Sequence, residues 1–226
     1  MIDLHSHILS GIDDGAKDNE MSIEMLKLAS KSGVKEIVAT PHFMRGRFDI
    51  EFKDVKEQVK ELRKLAKENK KNIKINGSKY MLIELPMDEF EVEKVIDVIF
   101  ELQLRGIIPI LAHPERYIPF INEPTLINRF IDEGYIFQLN TGSLTGSFGR
   151  DVKKTAEKFL EHNIYSIAGT DGHRVKNRNT DVEEFLNIID EERRKVFLEN
   201  SKKLLKDEDI SNNGNKIRKK KWFWNR

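Results

Sequence analysis

Cysteine is absent from this chain of 226 residues. That absence excludes a disulfide framework, a thiolate metal site and a cysteine nucleophile. Hydrolytic chemistry is left to water, a metal, a hydroxyl or a carboxylate. A long hydrophobic run is lacking too. No stretch is apolar enough to span a bilayer, and the first chemistry-bearing residues begin at position 5, so no signal peptide is read. An excess of one charge is also lacking. Lys and Arg number 39 against 38 Asp and Glu, so no basic field points to a nucleic-acid partner. Without cysteine or a leader, the expected compartment is the cytoplasm.

What is present is an alternation of short apolar strands with amphipathic helices. Strands are expected at 2–8, 36–40, 72–76, 80–85, 107–112, 135–140 and 164–169, the third being short and weak. Helices are expected at 21–32, 51–69, 92–104, 125–133, 151–162, 182–189 and 191–205. Gly33 and Gly106 read as helix stops. The pattern predicts a parallel sheet covered by helices, and about seven strands fit a TIM-like barrel. One domain over 1–210 is expected, followed by a tail over 211–226. The tail carries Lys216, Arg218, Lys219, Lys220 and Lys221, then Trp222, Phe223 and Trp224. It reads as a disordered solubilising segment, or as contact with an anionic membrane surface.

Histidine is sparse and unevenly placed. Five of the 6 histidines fall at or just past predicted strand ends. The first strand carries His5 and His7, whose i, i+2 spacing puts both rings on one face. Asp13-Asp14-Gly15 follows. Thr40-Pro41-His42 ends the second strand, and Glu84 sits among apolar neighbours on the fourth. His113-Pro114-Glu115-Arg116 and Thr170-Asp171-Gly172-His173 close two later strands. His162 stands at a helix end, where a cation is favoured by the dipole. Taken singly, each motif has an ordinary structural explanation: a turn, a loop, a surface ion pair. Together they offer imidazole and carboxylate donors on one face of the fold, a set that suits Mn, Fe or Zn. Such metals lower the pKa of a bound water and clamp a phosphoryl oxygen. Arg116, on the His113 loop, is placed to bind a phosphate.

These motifs, with Tyr80-Met81-Leu82-Ile83-Glu84 and Gln138-Leu139-Asn140, resemble the PHP (polymerase and histidinol phosphatase) superfamily of metal phosphoesterases. They are most similar to its bacterial tyrosine-phosphatase branch of the CpsB/YwqE type, regulators of capsule and exopolysaccharide. The resemblance spans residues 1 to about 205. It implies an α/β fold, a distorted TIM-like (β/α)7 barrel of the PHP type. It implies a site for up to three divalent metals, commonly Mn2+. His5, His7 and Asp171 would serve the first, Glu84 and His113 the second, and Asp14, His42 and His173 the third. Arg116, Asp171 and His42 are the expected catalytic residues. The implied substrate is phosphotyrosine on a partner tyrosine kinase of polysaccharide export, associated with the membrane.

The chain departs from the pattern once. The family carries a Gly-x-Glu strand end whose glutamate bridges the first two metals, yet no glutamate lies in 72–80. Either that strand is shortened or missing near 70–80, or Lys79 stands where the glutamate belongs. Asp88 and Glu89 read as first-turn charges of the next helix rather than substitutes. The alternatives are a small-molecule phosphatase, such as a histidinol phosphatase, and a catalytically weakened binding module.

Overall fold

The structure, a computed structural model, describes residues 1–67, 72–74 and 78–218. Alternating strand and helix patterns build seven strands among them, all paired in parallel. One sheet is ordered β1 (Ile2–Ser6), β2 (Glu36–Ala39), β3 (Asn72–Lys74). The other runs β4 (Tyr80–Ile83), β5 (Ile108–Ala112), β6 (Ile136–Asn140), β7 (Ile167–Gly169). The connecting helices are α1 (Asn19–Lys31), α2 (Phe52–Lys67), α3 (Val92–Gln103), α4 (Ile118–Asn122), α5 (Ile127–Asp132), α6 (Thr141–Thr145), α7 (Arg150–Glu161), α8 (Glu183–Ile188) and α9 (Glu191–Leu205).

The helices form where the sequence places an apolar stripe and a cap. In α1 the Asp18 carboxylate accepts from the Met21 N–H at 2.8 Å, satisfying one free amide of the first turn. Met25, Leu26 and Ala29 then share the buried face. In α2 the buried stripe is Val55, Val59, Leu62 and Ala66, as their spacing requires. Two short helices, α4 and α6, have too few residues to carry a periodic signal. Beneath the second sheet Phe120 meets Phe130 edge-on at 5.5 Å, a favoured arrangement of ring quadrupoles.

All seven expected strands are present, and the third is indeed short. The strand at 70–80 is therefore reduced rather than deleted. β3 ends at Lys74 and β4 begins at Tyr80. Lys79 does not enter the site; its ammonium pairs with Asp209 at 2.6 Å. Tyr80 fixes the same segment, donating to the Glu208 carbonyl at 2.8 Å and accepting from the Ile210 N–H at 2.9 Å. Residues 211–218 continue along the domain, where Asn128 pairs twice with the Ile217 backbone at 2.9 Å and Ile217 is buried. The expected basic cluster at 219–221 and the aromatic residues at 222–224 lie outside the described residues.

The two sheets meet where β7 lies beside β1. The Asp171 N–H donates to the His5 carbonyl at 2.8 Å, and the His7 N–H to the Gly172 carbonyl at 2.9 Å. The buried Asp3 carboxylate reinforces this seam, accepting from the Thr170 N–H at 2.9 Å and its hydroxyl at 2.6 Å. Gly169 permits the approach. A Cβ there would lie 2.6 Å from the His5 Cβ and 2.8 Å from the His5 nitrogen. Backbone cannot yield cheaply, so Gly169→Ala is expected to destabilise the fold by about 2 kcal/mol through overpacking. A urea unfolding midpoint equal to wild type would contradict that close packing.

Candidate metal centre

Strand ends deliver the expected residues to one place. His5 is on β1, in the stretch between Asp3 and Ser6 where the register shifts, and His7 lies just beyond the strand's end. His42 follows β2, Glu84 follows β4, His113 follows β5, and Asp171 and His173 follow β7. Two groups of donor atoms result. His5, His7, Glu84 and Asp171 form one, and His7, Asp14, His42 and His173 the other, with all donor atoms of each group within 4.8 Å of one another. His113 borders the first group, its Nε2 3.2 Å from Glu84 Oε1. The same carboxylate oxygen lies 3.2 Å from His5 Nε2. Asp88 and Glu89 are exposed and stand apart from both groups.

The orientation of the rings is set from outside the cluster. Gln138 donates through its amide to the Leu139 carbonyl at 2.5 Å, which turns its oxygen toward His5 Nδ1 at 3.0 Å. His7 Nδ1 donates to Asp13 at 2.7 Å, and His173 Nδ1 to the Asp171 carbonyl at 2.8 Å. In each ring Nδ1 is engaged outside the cluster, and Nε2 faces the centre. His113 Nε2, His173 Nε2 and Asp14 Oδ1 are buried with no hydrogen-bond partner among the described residues. Unpaired buried donors and acceptors are costly, and here they belong to or border the two donor groups. A divalent cation satisfies them, so the donor set fits a metal centre.

Electrostatics agree. Burial opposes a charge on His7, but the Asp13 and Asp171 carboxylates outweigh it and push its pKa up to about 9. Positive charge is therefore favoured at His7. Burial and the neighbouring His7 lower His173 to about 4. Burial works to raise Glu84 and Asp171, yet the imidazoles around them, joined for Asp171 by Arg178, hold both well below the usual carboxylate range.

Arg116 and Arg178 form a rim. Arg116 Nη1 donates to Asp171 Oδ2 at 2.5 Å and its guanidinium lies over the Phe148 ring at 4.3 Å. Arg178 Nη2 donates to both Asp171 oxygens, at 2.8 and 2.7 Å. The Asn140 amide adds a third donor at 3.3 Å. Asp171 Oδ1 meanwhile lies 3.5 Å from His5 and 3.4 Å from His7. His113 and Asp171 both have left-handed backbones, φ 33° and 52°. Such strain in residues with side chains clusters at functional sites. Close packing also fixes the Asp13 loop: a Cβ on Gly15 would lie 2.1 Å from the His7 carbonyl oxygen.

Sequence reasoning missed Arg178. It lies in a loop without periodicity, among Arg174 and Lys176, and nothing in the order of those charges selects it. It also gave Asp13 and Gln138 no role of their own. For Gln138 a signal existed, a polar residue within the apolar run of β6.

Fold and site define a parallel α/β protein of the metal-centre class, with imidazoles and carboxylates gathered at strand ends and guanidiniums at the rim. The pattern of the capsular polysaccharide synthesis family CpsB/CapC matches residues 1–77 and 68–206, and the chain belongs to that family. It is 34% identical to the tyrosine-protein phosphatase YwqE of Bacillus subtilis (strain 168), over 93% of each chain. It is 28% identical to the tyrosine-protein phosphatase CpsB of Streptococcus pneumoniae, over 93% of this chain and 100% of that one. A solved structure from work on YwqE and CpsB, described as unique metal-dependent tyrosine phosphatases, aligns with a TM-score of 0.89. That match has 29% identity and covers 97% of this chain and 100% of the other.

Proposed function

We propose that the protein is a metal-dependent protein-tyrosine phosphatase, hydrolysing phosphotyrosine with a cation cluster as its cofactor. The observation that carries this reading is the pair of four-residue donor groups, each within 4.8 Å, bordered by two guanidiniums on Asp171. The relatives described are tyrosine-protein phosphatases, and they favour neither a small-molecule phosphatase nor an inert binding module.

The residues that would hold cations are His5, His7 and Asp171; Glu84 and His113; and Asp14, His42 and His173. Mn2+ suits this oxygen and nitrogen set, with Fe and Zn as alternatives. Bound there, the cations would supply an acidified water and neutralise charge on phosphoryl oxygens. Glu84 Oε1 lies between His5 and His113, so this carboxylate already stands between the first two donor sets, which the missing family glutamate would join. Arg116 and Arg178 orient the phosphate and stabilise the charge that develops on its equatorial oxygens. The Tyr117 hydroxyl accepts from the Leu85 N–H at 3.0 Å and steadies the loop that carries Glu84.

We read residues 1–210 as the catalytic domain. Its strands close into a distorted (β/α)7 barrel, with β7 beside β1 and a reduced seam between β3 and β4. No described helix is long and apolar enough to cross a membrane. A cytoplasmic enzyme acting on a membrane-associated tyrosine kinase of polysaccharide export accounts for the family and the chemistry.

The test is parallel turnover of a phosphotyrosine peptide and histidinol phosphate by protein supplied with Mn2+. Preferential release of phosphate from the peptide is expected. No release from the peptide at full metal content would overturn the proposal.

A further inference from the structure

An apolar cavity of about 510 Å3 opens between the two sheets beside the metal centre. Val38 of β2 forms one wall, and Leu82, Ile110 and Ile167 of the second sheet the other. Among the described residues, no Asp, Glu, Lys or Arg lines it. Its lining reaches the donor cluster from both sides. On the β2 side it includes His42, whose Nε2 lies 3.5 Å from Asp14. On the β4 side it includes Leu82, two residues before Glu84. Phe43, Phe52 and Met81 also line it, and they are 72%, 53% and 40% exposed. Apolar side chains grouped in water beside a polar centre mark a binding surface.

We propose that this cavity is the aryl subsite: it takes the phenyl ring of the phosphorylated tyrosine while the phosphoryl group rests on the cluster. The inference rests on the phosphatase reading and deepens it to a basis for side-chain selection. Tyrosine carries its phosphate a full ring away from the backbone, so a phosphoryl group at the cluster leaves the ring between β2 and β4. Serine carries its phosphate one carbon from the backbone and has nothing to place there. Phe43 and Phe52 supply ring faces and edges, and Met81 a polarisable thioether, all suited to an aromatic guest.

The test measures binding rather than turnover. Phenylphosphonate, methylphosphonate and hexylphosphonate are titrated into the protein loaded with Zn2+, a diamagnetic stand-in that leaves nearby resonances sharp, with methionine methyl groups labelled for NMR. Phenylphosphonate is expected to bind about tenfold more tightly than methylphosphonate and to move the Met81 methyl resonance by its ring current. In Phe43→Ala/Phe52→Ala that preference collapses toward unity. Both side chains are largely exposed, so the core is spared, and the Met81 shift in wild type tests the site without any variant. Val98→Ala, 67% exposed on α3 and away from the cavity, keeps the preference. Equal binding of phenyl- and methylphosphonate, or a still Met81 methyl, overturns the subsite alone. Tighter binding of hexylphosphonate assigns the cavity to an alkyl chain and overturns it as well. Binding of none of the three overturns the phosphatase reading and the subsite with it.

Discussion

Asp171→Asn is expected to lower kcat/KM for a phosphotyrosine peptide by about 10^3-fold, several kcal/mol of lost transition-state stabilisation. The reason is that both carboxylate oxygens are used. Oδ1 faces His5, His7 and His173 at 3.4 to 3.5 Å. Oδ2 receives Arg116, Arg178 and Asn140. An asparagine keeps the shape and tolerates the left-handed backbone at this position. Its amide can present an oxygen to only one side. Turned inward, the NH2 opposes the cation cluster; turned outward, it meets two guanidiniums donor to donor. Either way a buried negative charge is gone and two arginines lose their counter-ion. Phosphate release with the peptide, together with metal content by elemental analysis, checks the expectation. A variant with wild-type rate and full metal content would remove Asp171 from the centre.

The second large effect belongs to Arg178. Replacement by alanine is expected to lower kcat about 10^2-fold, within the range for losing one preorganised donor to a developing oxyanion. Among the described residues Asp171 engages only its Nη2. The other donors of the guanidinium fork remain for a phosphate, and its side chain is 35% exposed at the rim. Lysine presents a point charge rather than a fork, so Arg178→Lys is expected to restore little. Metal content should stay at the wild-type level, which separates this variant from Asp171→Asn. Arg116→Ala should behave alike, and the double variant should lose less than the product of the two, because both arginines act on one carboxylate. An unchanged kcat with a raised KM would make Arg178 a binding residue only.

Much of this site could be read from order alone, because strand ends in a parallel α/β fold share one face. His5, His42, His113 and Asp171 each follow an apolar run, and each arrives at the centre. The elements that resisted were those without a repeating signal. Arg178 sits in an irregular loop, and α4 and α6 are shorter than two turns. The left-handed backbones of His113 and Asp171 have no compositional mark, since glycine is the residue that announces such a position. Lys79 was ambiguous in sequence because spacing alone cannot tell a strand's first residue from its last. The structure puts it just before β4, paired with Asp209, away from the donor groups. The cavity beside His42 was illegible for a different reason. It belongs to no one segment: its lining comes from β1, β2, α2, β4, β5, β7 and α9 together.

The seam between β1 and β7 bears on how the protein is made. Asp3 is fully buried, and its hydroxyl and amide donors come from Thr170, 167 residues later. His5 and His7 likewise wait for Asp171. A nascent chain emerging from the ribosome therefore carries an unpaired carboxylate and two loose imidazoles through most of translation. Contacts so distant in sequence close late. The two donor groups are complete only once the residues after β7 have been synthesised, so a chain ending before Thr170 is expected to hold fewer cations.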